Sequence, residues 1–142
     1  MSESEKDTVP ASHLSMANED YLEAIWRIVL REESEAVRSV DVAELLGVSK
    51  ASVNKALATL KENGYVEQHR YGRVTLTPEG AAYARRLWRS HRALRSFLET
   101  ELGVDPQVAD EEACRMEHAL SDDTMNRWVQ YLEKAGVAVD TI

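Results

Sequence analysis

Between residues 41 and 76 the hydrophobic period changes from that of a helix to that of a strand, and this limits the fold more than any other feature. The segment Asp41–Leu46 (DVAELL) is a short apolar helix that Gly47 stops. Ser49 then stands as the N-cap of a second helix, in which Val53, Ala56, Leu57 and Leu60 face inward and Asn63-Gly64 closes the run. Two alternating strands follow, over about residues 65–69 and 73–76, joined around Tyr71-Gly72 as a hairpin. Helix, glycine turn, helix and hairpin in that order make a winged helix-turn-helix. Ser49, Lys50, Ser52, Asn54 and Lys55 would point outward near the N-terminus of the second helix, where recognition helices meet base edges. Lysines and hydroxyls there can bond phosphates, and Asn54 could pair with an adenine. Arg70 and Arg73 flank the hairpin tip, where a wing meets the sugar-phosphate backbone. A tri-helical core with a hairpin can equally serve protein contacts, so this order specifies architecture more than ligand.

The flanking segments are helical. Residues 1–15 lack periodicity and read as a mobile tail. A first helix is expected over about residues 16–33, with Tyr21, Leu22, Ile25, Ile28 and Val29 as its apolar stripe. Thr77-Pro78-Glu79 opens another: a hydroxyl N-cap, proline at the first position and an early acid. Its seam of Ala84, Leu87, Trp88, His91, Leu94, Leu98 and Leu102 runs to Gly103, too long for one small unit to cover. It therefore links two units. Further helices lie near residues 106–120 and, capped by Ser121, around Met125, Trp128, Val129 and Leu132. The fold class is mainly α. The expected domains are a winged helix-turn-helix over 16–77 and a linker helix with a helical metal-binding and dimerisation domain over 78–142.

Charge supports a polyanion partner, despite a net charge of −8. From Gly47 to Arg95 there are ten Lys and Arg against three Asp and Glu, a local +7, so the remainder carries −15. That asymmetry suits a basic face for nucleic acid and acidic regions with another task. Solvated helix faces are the plainer reading. A lone cysteine excludes an internal disulfide framework, and no apolar run approaches membrane-spanning length. The expectation is a cytoplasmic protein with no membrane partner and no small-molecule substrate.

The acidic regions hold potential metal ligands. Asp20 and Glu23 stand at i, i+3 on the first helix, and His91 lies within the long one. Cys114, Glu117 and His118 form C-x-x-E-H and, at about 100° per residue, span only about 100° of helix circumference. Thiolate, carboxylate and imidazole facing one point are metal-ligand chemistry. Each also has a plainer role. Asp20 and Glu23 can be a solvated face, His91 a satisfied core histidine, and Cys114 a small filler.

The stretches EDYLEAIWRI, DVAELLGVSKASVNKALATLKENGYVE, LTPEGAAYARRLWRSHRALRSFL and DEEACRMEHALSDD together resemble the diphtheria-toxin-repressor family of metal-dependent transcriptional regulators. The resemblance covers about residues 16–135, and E-A-C-R-x-E-H followed by L-S-D is its most diagnostic part. Ending after the dimerisation region, without a further C-terminal domain, the chain looks like the short manganese-transport-regulator branch. The resemblance implies two ions per subunit. Asp20, Glu23, His91 and Glu117 would hold one and Glu23, Cys114, Glu117 and His118 the other, with Glu23 and Glu117 bridging.

Two departures matter. A carboxylate usually stands in the manganese branch where this chain has Cys114, whereas Asp20 replaces an iron-type methionine; some manganese regulators combine that aspartate and cysteine. Arg95 and Asp110 lie where long iron-type members carry the glutamate and histidine of an ancillary site, which looks disrupted. Hard oxygen donors favour Mn(II), with Fe(II) second because of Cys114. The implied activity is a homodimeric, metal-gated repressor of metal-uptake genes that binds a palindromic double-stranded operator. The rivals are a metalloenzyme, for which no nucleophile or proton-relay motif is present, and a metal-independent winged-helix regulator, which leaves C-x-x-E-H unexplained.

Overall fold

The computed structural model describes residues 14–137. Among these, six α-helices and a three-stranded sheet form two compact units, one of Ser15–Arg85 and the other beginning at Arg86 and including Leu14. The tail expected over 1–15 lies almost wholly outside the described residues. At its edge Leu14 is buried and Ser15 is an N-cap, its Oγ accepting from the Asn18 amide at 3.1 Å.

In the first unit α1 (Met16–Glu32) buries Leu22, Ala24, Ile25 and Ile28, while Tyr21 and Val29 at the stripe's edge are half-buried. Next comes β1 (Val37–Arg38), a strand absent from the sequence reading because two residues carry no alternation. It exists through non-local pairing, Val37 opposite Val74 and Arg38 opposite Arg73. The helix α2 (Ser39–Leu46) follows at once, two residues earlier than expected, and Gly47 ends it with φ 66°. That left-handed backbone is why glycine stands there. Then α3 (Lys50–Glu62) buries Val53, Ala56, Leu57 and Leu60, the four expected inward positions.

The hairpin is β2 (Val66–Gln68) and β3 (Arg73–Leu76), antiparallel with Val66 opposite Leu76, and β3 lies central in the order β1-β3-β2. Its connection is a tight turn over Arg70–Gly72 in which Tyr71 has φ 64°. Val37, Val66 and Val74 turn their side chains into the core of this unit.

The long helix α4 (Pro78–Thr100) starts in the first unit and continues into the second, the division falling between Arg85 and Arg86 rather than at its first residue. Thr77 anchors its start, donating its hydroxyl to the Gly64 carbonyl at 2.7 Å and accepting from the Gly80 amide at 3.0 Å. Gly80 lies so close to the hairpin that a Cβ there would sit 1.9 Å from the Tyr65 carbonyl oxygen. At its other end α4 stops at Thr100, short of the expected Leu102, which is left exposed. The Val104 amide bonds the Leu98 carbonyl instead, across Gly103 at φ 69°.

In the second unit α5 (Pro106–Glu117) and α6 (Asp122–Lys134) pack against α4 around Ala93, Leu94, Leu98, Ala109, Ala113, Met125, Val129 and Leu132. Asp105 and Ser121 cap these two helices. Although α5 ends three residues before the expected Leu120, His118 keeps right-handed helical angles, so the facing of Cys114, Glu117 and His118 survives.

Candidate metal centre and nucleic-acid face

Within the second unit two helices, α4 and α5, place donor atoms together. His91 projects from α4 and is 5% exposed, and Glu117, in the last turn of α5, is 4% exposed. His91 Nδ1 lies 2.8 Å from Glu117 Oε1, and His91 Nε2 lies 2.7 Å from Asp110 Oδ1. The ring is stacked on Trp88, centroids 5.6 Å apart and planes 8° from parallel. Cys114 Sγ lies 4.0 Å from His118 Nε2, both half-buried.

A buried carboxylate is costly unless charge or hydrogen bonds compensate it. A neutral imidazole donates at only one nitrogen. With a carboxylate at each nitrogen, a neutral ring leaves one contact acceptor to acceptor, and a proton or a metal ion between the two atoms satisfies it. Imidazole, carboxylate and thiol donors gathered in this way suit a first-row divalent ion, so the residues fit the metal that the sequence implies. His91 meets two carboxylates and Cys114 faces an imidazole, contacts that a satisfied core histidine and a small filler also make.

The other two expected ligands belong to the first unit. On α1 Glu23 is buried and Asp20 half-buried. One turn earlier the buried Glu19 accepts a 2.5 Å hydrogen bond from the hydroxyl of Tyr83 on α4. Tyr83 in turn meets Tyr65 edge-on, centroids 5.2 Å apart. These contacts fix the first turns of α1 against the start of α4. Nothing local in the sequence pointed to Glu19 or Tyr83, which are 64 positions apart.

The basic face is built on α3 and the hairpin. Ser49 Oγ accepts from the Ser52 amide at 3.1 Å and donates to Ser52 Oγ at 3.0 Å, so these hydroxyls first order the helix N-terminus. Lys50, Asn54 and Lys55 are exposed. Arg70 and Arg73 are exposed at the hairpin, with Tyr71 between them 91% exposed. An exposed aromatic held in left-handed backbone at a hairpin tip was missed, although Tyr71-Gly72 had marked the turn. Elsewhere on α4, burial and then the neighbouring Arg95 lower the pKa of Arg92, whose guanidinium lies over Trp88 at 5.3 Å from the ring centroid.

Comparison with known proteins matches both units. Residues 13–74 fit the family model "Iron dependent repressor, N-terminal DNA binding domain", and residues 77–138 fit "Iron dependent repressor, metal binding and dimerisation domain". An HTH-type transcriptional regulator of Methanocaldococcus jannaschii is 35% identical over 121 residues, covering 85% of this chain and 96% of that protein. The transcriptional regulator MntR of Salmonella typhimurium is 33% identical over 132 residues, covering 93% and 82%. Among solved structures the manganese regulator SloR superposes with a TM-score of 0.71 at 29% identity, covering 82% of this chain. The chain spans about half, 53%, of that structure's length.

Proposed function

Because this chain belongs to the diphtheria-toxin-repressor family of metal-dependent transcriptional regulators, its manganese-transport-regulator branch included, we propose that it is a Mn(II)-responsive repressor. In this reading a homodimer binds a palindromic operator in double-stranded DNA when metal is plentiful and controls metal-uptake genes in the cytoplasm. The proteins it matches carry the names of transcriptional regulators, which sets the metalloenzyme aside. Among the described residues no helix is long and apolar enough to cross a membrane.

The observation that carries the proposal is the buried His91–Glu117 contact at 2.8 Å on the unit that also bears Cys114 and His118. Asp20, Glu23, His91 and Glu117 are assigned to one ion and Glu23, Cys114, Glu117 and His118 to a second. Bound metal would supply positive charge to offset the repulsion among these carboxylates. Asp20 and Glu23 belong to the first unit and the other four ligands to the second, so shared coordination ties the DNA-binding unit to metal occupancy. Couplings of this kind are typically about 1–3 kcal/mol, roughly 5–150-fold in affinity. Three carboxylates against one thiol support Mn(II); Cys114 keeps Fe(II) as the second reading.

For DNA, the assignment rests on Ser49 and Ser52 at the α3 N-terminus, the exposed Lys50, Asn54 and Lys55, and Arg70 and Arg73 at the hairpin. For the homodimer, it rests on Phe97, Trp128 and Tyr131, which line an open apolar face of the second unit, Tyr131 being 65% exposed. His118→Ala should abolish metal-dependent operator binding while the circular-dichroism melt of the metal-free protein stays unchanged. Metal-dependent binding that survives His118→Ala refutes the ligand assignment.

A further inference from the structure

Asp110 was noted in the sequence only as a residue out of place. The structure puts its Oδ1 2.7 Å from Nε2 of the buried His91, and Arg95 Nη1 3.6 Å from the same oxygen. We propose that Asp110, held by Arg95, is a positioning residue for His91: it keeps the ring proton on Nε2 and turns the Nδ1 lone pair toward Glu117, where metal binds. The inference rests on the metal-binding reading above and deepens it.

The direction of the assignment follows from charge and burial. Nδ1 and Glu117 Oε1 are 2.8 Å apart, and with the proton on Nε2 both atoms are acceptors. Two acceptors face each other stably when a proton or a metal ion stands between them, and the donors around Glu117 suit the metal. Glu117 is buried on the α5 face that carries Cys114 and His118, so further donors are at hand. Around Asp110 the situation is reversed. Its side chain is 50% exposed, and a guanidinium already stands beside it, with Arg95 Nε also 3.5 Å from Glu99. A metal ion at Asp110 would meet that positive charge, whereas a proton on Nε2 would not be displaced by it. The Asp110 carboxylate thus orients the ring from behind. Trp88, stacked nearly parallel to the imidazole, fixes the ring plane from one face. Carboxylates of this kind fix the tautomer of a metal-bound histidine and raise its basicity; losing one typically costs about 10–100-fold in metal affinity.

Asn and Leu at position 110 separate positioning from ligation, because Asn keeps an oxygen acceptor for Nε2–H but is a poor ligand for a hard cation. The experiment titrates Mn(II) into the metal-free full chain and reads unbound Mn(II) by electron paramagnetic resonance. It compares wild type, Asp110→Asn and Asp110→Leu, with the thermal melt of each metal-free protein alongside. Long-range 1H–15N spectra of the Zn(II)-loaded wild type identify which His91 nitrogen is protonated. The expected results are a loss of about 10–100-fold for Asp110→Leu at an unchanged melting temperature and a distinctly smaller loss for Asp110→Asn, which keeps the acceptor but not the charge. The His91 proton should be on Nε2. Wild-type affinity in Asp110→Leu overturns the proposal, as does a loss in Asp110→Asn equal to that in Asp110→Leu, which would make Asp110 a ligand. A proton on Nδ1 overturns it too. If Asp110→Leu does not fold, the Asp110→Asn titration and the nitrogen spectra decide. A wild-type protein that binds neither Mn(II) nor Zn(II) fails at the metal-binding reading itself, distinguishably from the failures above.

Discussion

Gly80→Ala tests how the recognition unit holds its hairpin. Gly80 sits in the first turn of α4 with ordinary helical backbone, and alanine in a helix is worth about 1 kcal/mol more than glycine. From local propensity alone the substitution stabilises. The structure reverses the sign: the new Cβ would lie 1.9 Å from the Tyr65 carbonyl oxygen and 2.8 Å from its carbonyl carbon. That carbonyl accepts from the Thr77 amide at 3.0 Å, so it cannot swing away without breaking the contact that starts α4. Overpacking typically costs about 1–3 kcal/mol, and a backbone obstacle places this site at about 3. Subtracting the helix gain leaves a net loss of about 2 kcal/mol, a fall of about 8–16 °C for a unit of this size. Differential scanning calorimetry reads the change directly. Gly47→Ala is the contrast: its Cβ meets nothing within 4 Å, but φ is 66°, so its cost is backbone strain of about 1–2 kcal/mol. Asparagine, which tolerates left-handed backbone, should recover much of the Gly47 loss and none of the Gly80 loss. A melting temperature for Gly80→Ala equal to or above wild type refutes the close packing of α4 on the hairpin.

Two further substitutions probe the same unit. Tyr83→Phe removes the hydroxyl that bonds buried Glu19 and should cost about 1–3 kcal/mol by urea denaturation; a loss near zero would show that the bond does not hold α1 to α4. Tyr71→Gly relieves left-handed strain of about 1–2 kcal/mol and loses about 0.5–1 kcal/mol to the freer unfolded chain, so the melting temperature should rise slightly; a fall of several degrees contradicts the exposed, strained tip.

Local signals carried most of the helices. The inward residues of α3, the stop at Gly47 and the start at Thr77-Pro78 depend on neighbours within a turn or two, and such rules can be read along a chain. The misses are non-local. The two-residue strand β1 exists only because β3 pairs with it. A glycine in a helix looks like a weak point, and only the approach of Tyr65 shows why Gly80 is needed. The same divide runs through the metal centre. Cys114, Glu117 and His118 could be placed on one face because i, i+3 and i+4 is a local relation. That His91 meets Glu117, 26 positions away, followed from no spacing. The sequence marked Asp110 and Arg95 as departures from a family pattern, but their contact with each other and with the His91 ring is a fact of packing. Ligand chemistry selected Asp20 and Glu23, while the burial of Glu23 needed the fold.

The central claim is that metal gates DNA binding, and selection from random-sequence duplex DNA tests it most directly. The full chain is selected in parallel with chelator, Mn(II), anaerobic Fe(II) and Zn(II). The account predicts a near-palindromic sequence enriched with Mn(II) and absent with chelator, because a dimer reads two half-sites only when its recognition helices are correctly set. Equal enrichment of that sequence in chelator, or no enrichment under any condition, would contradict it.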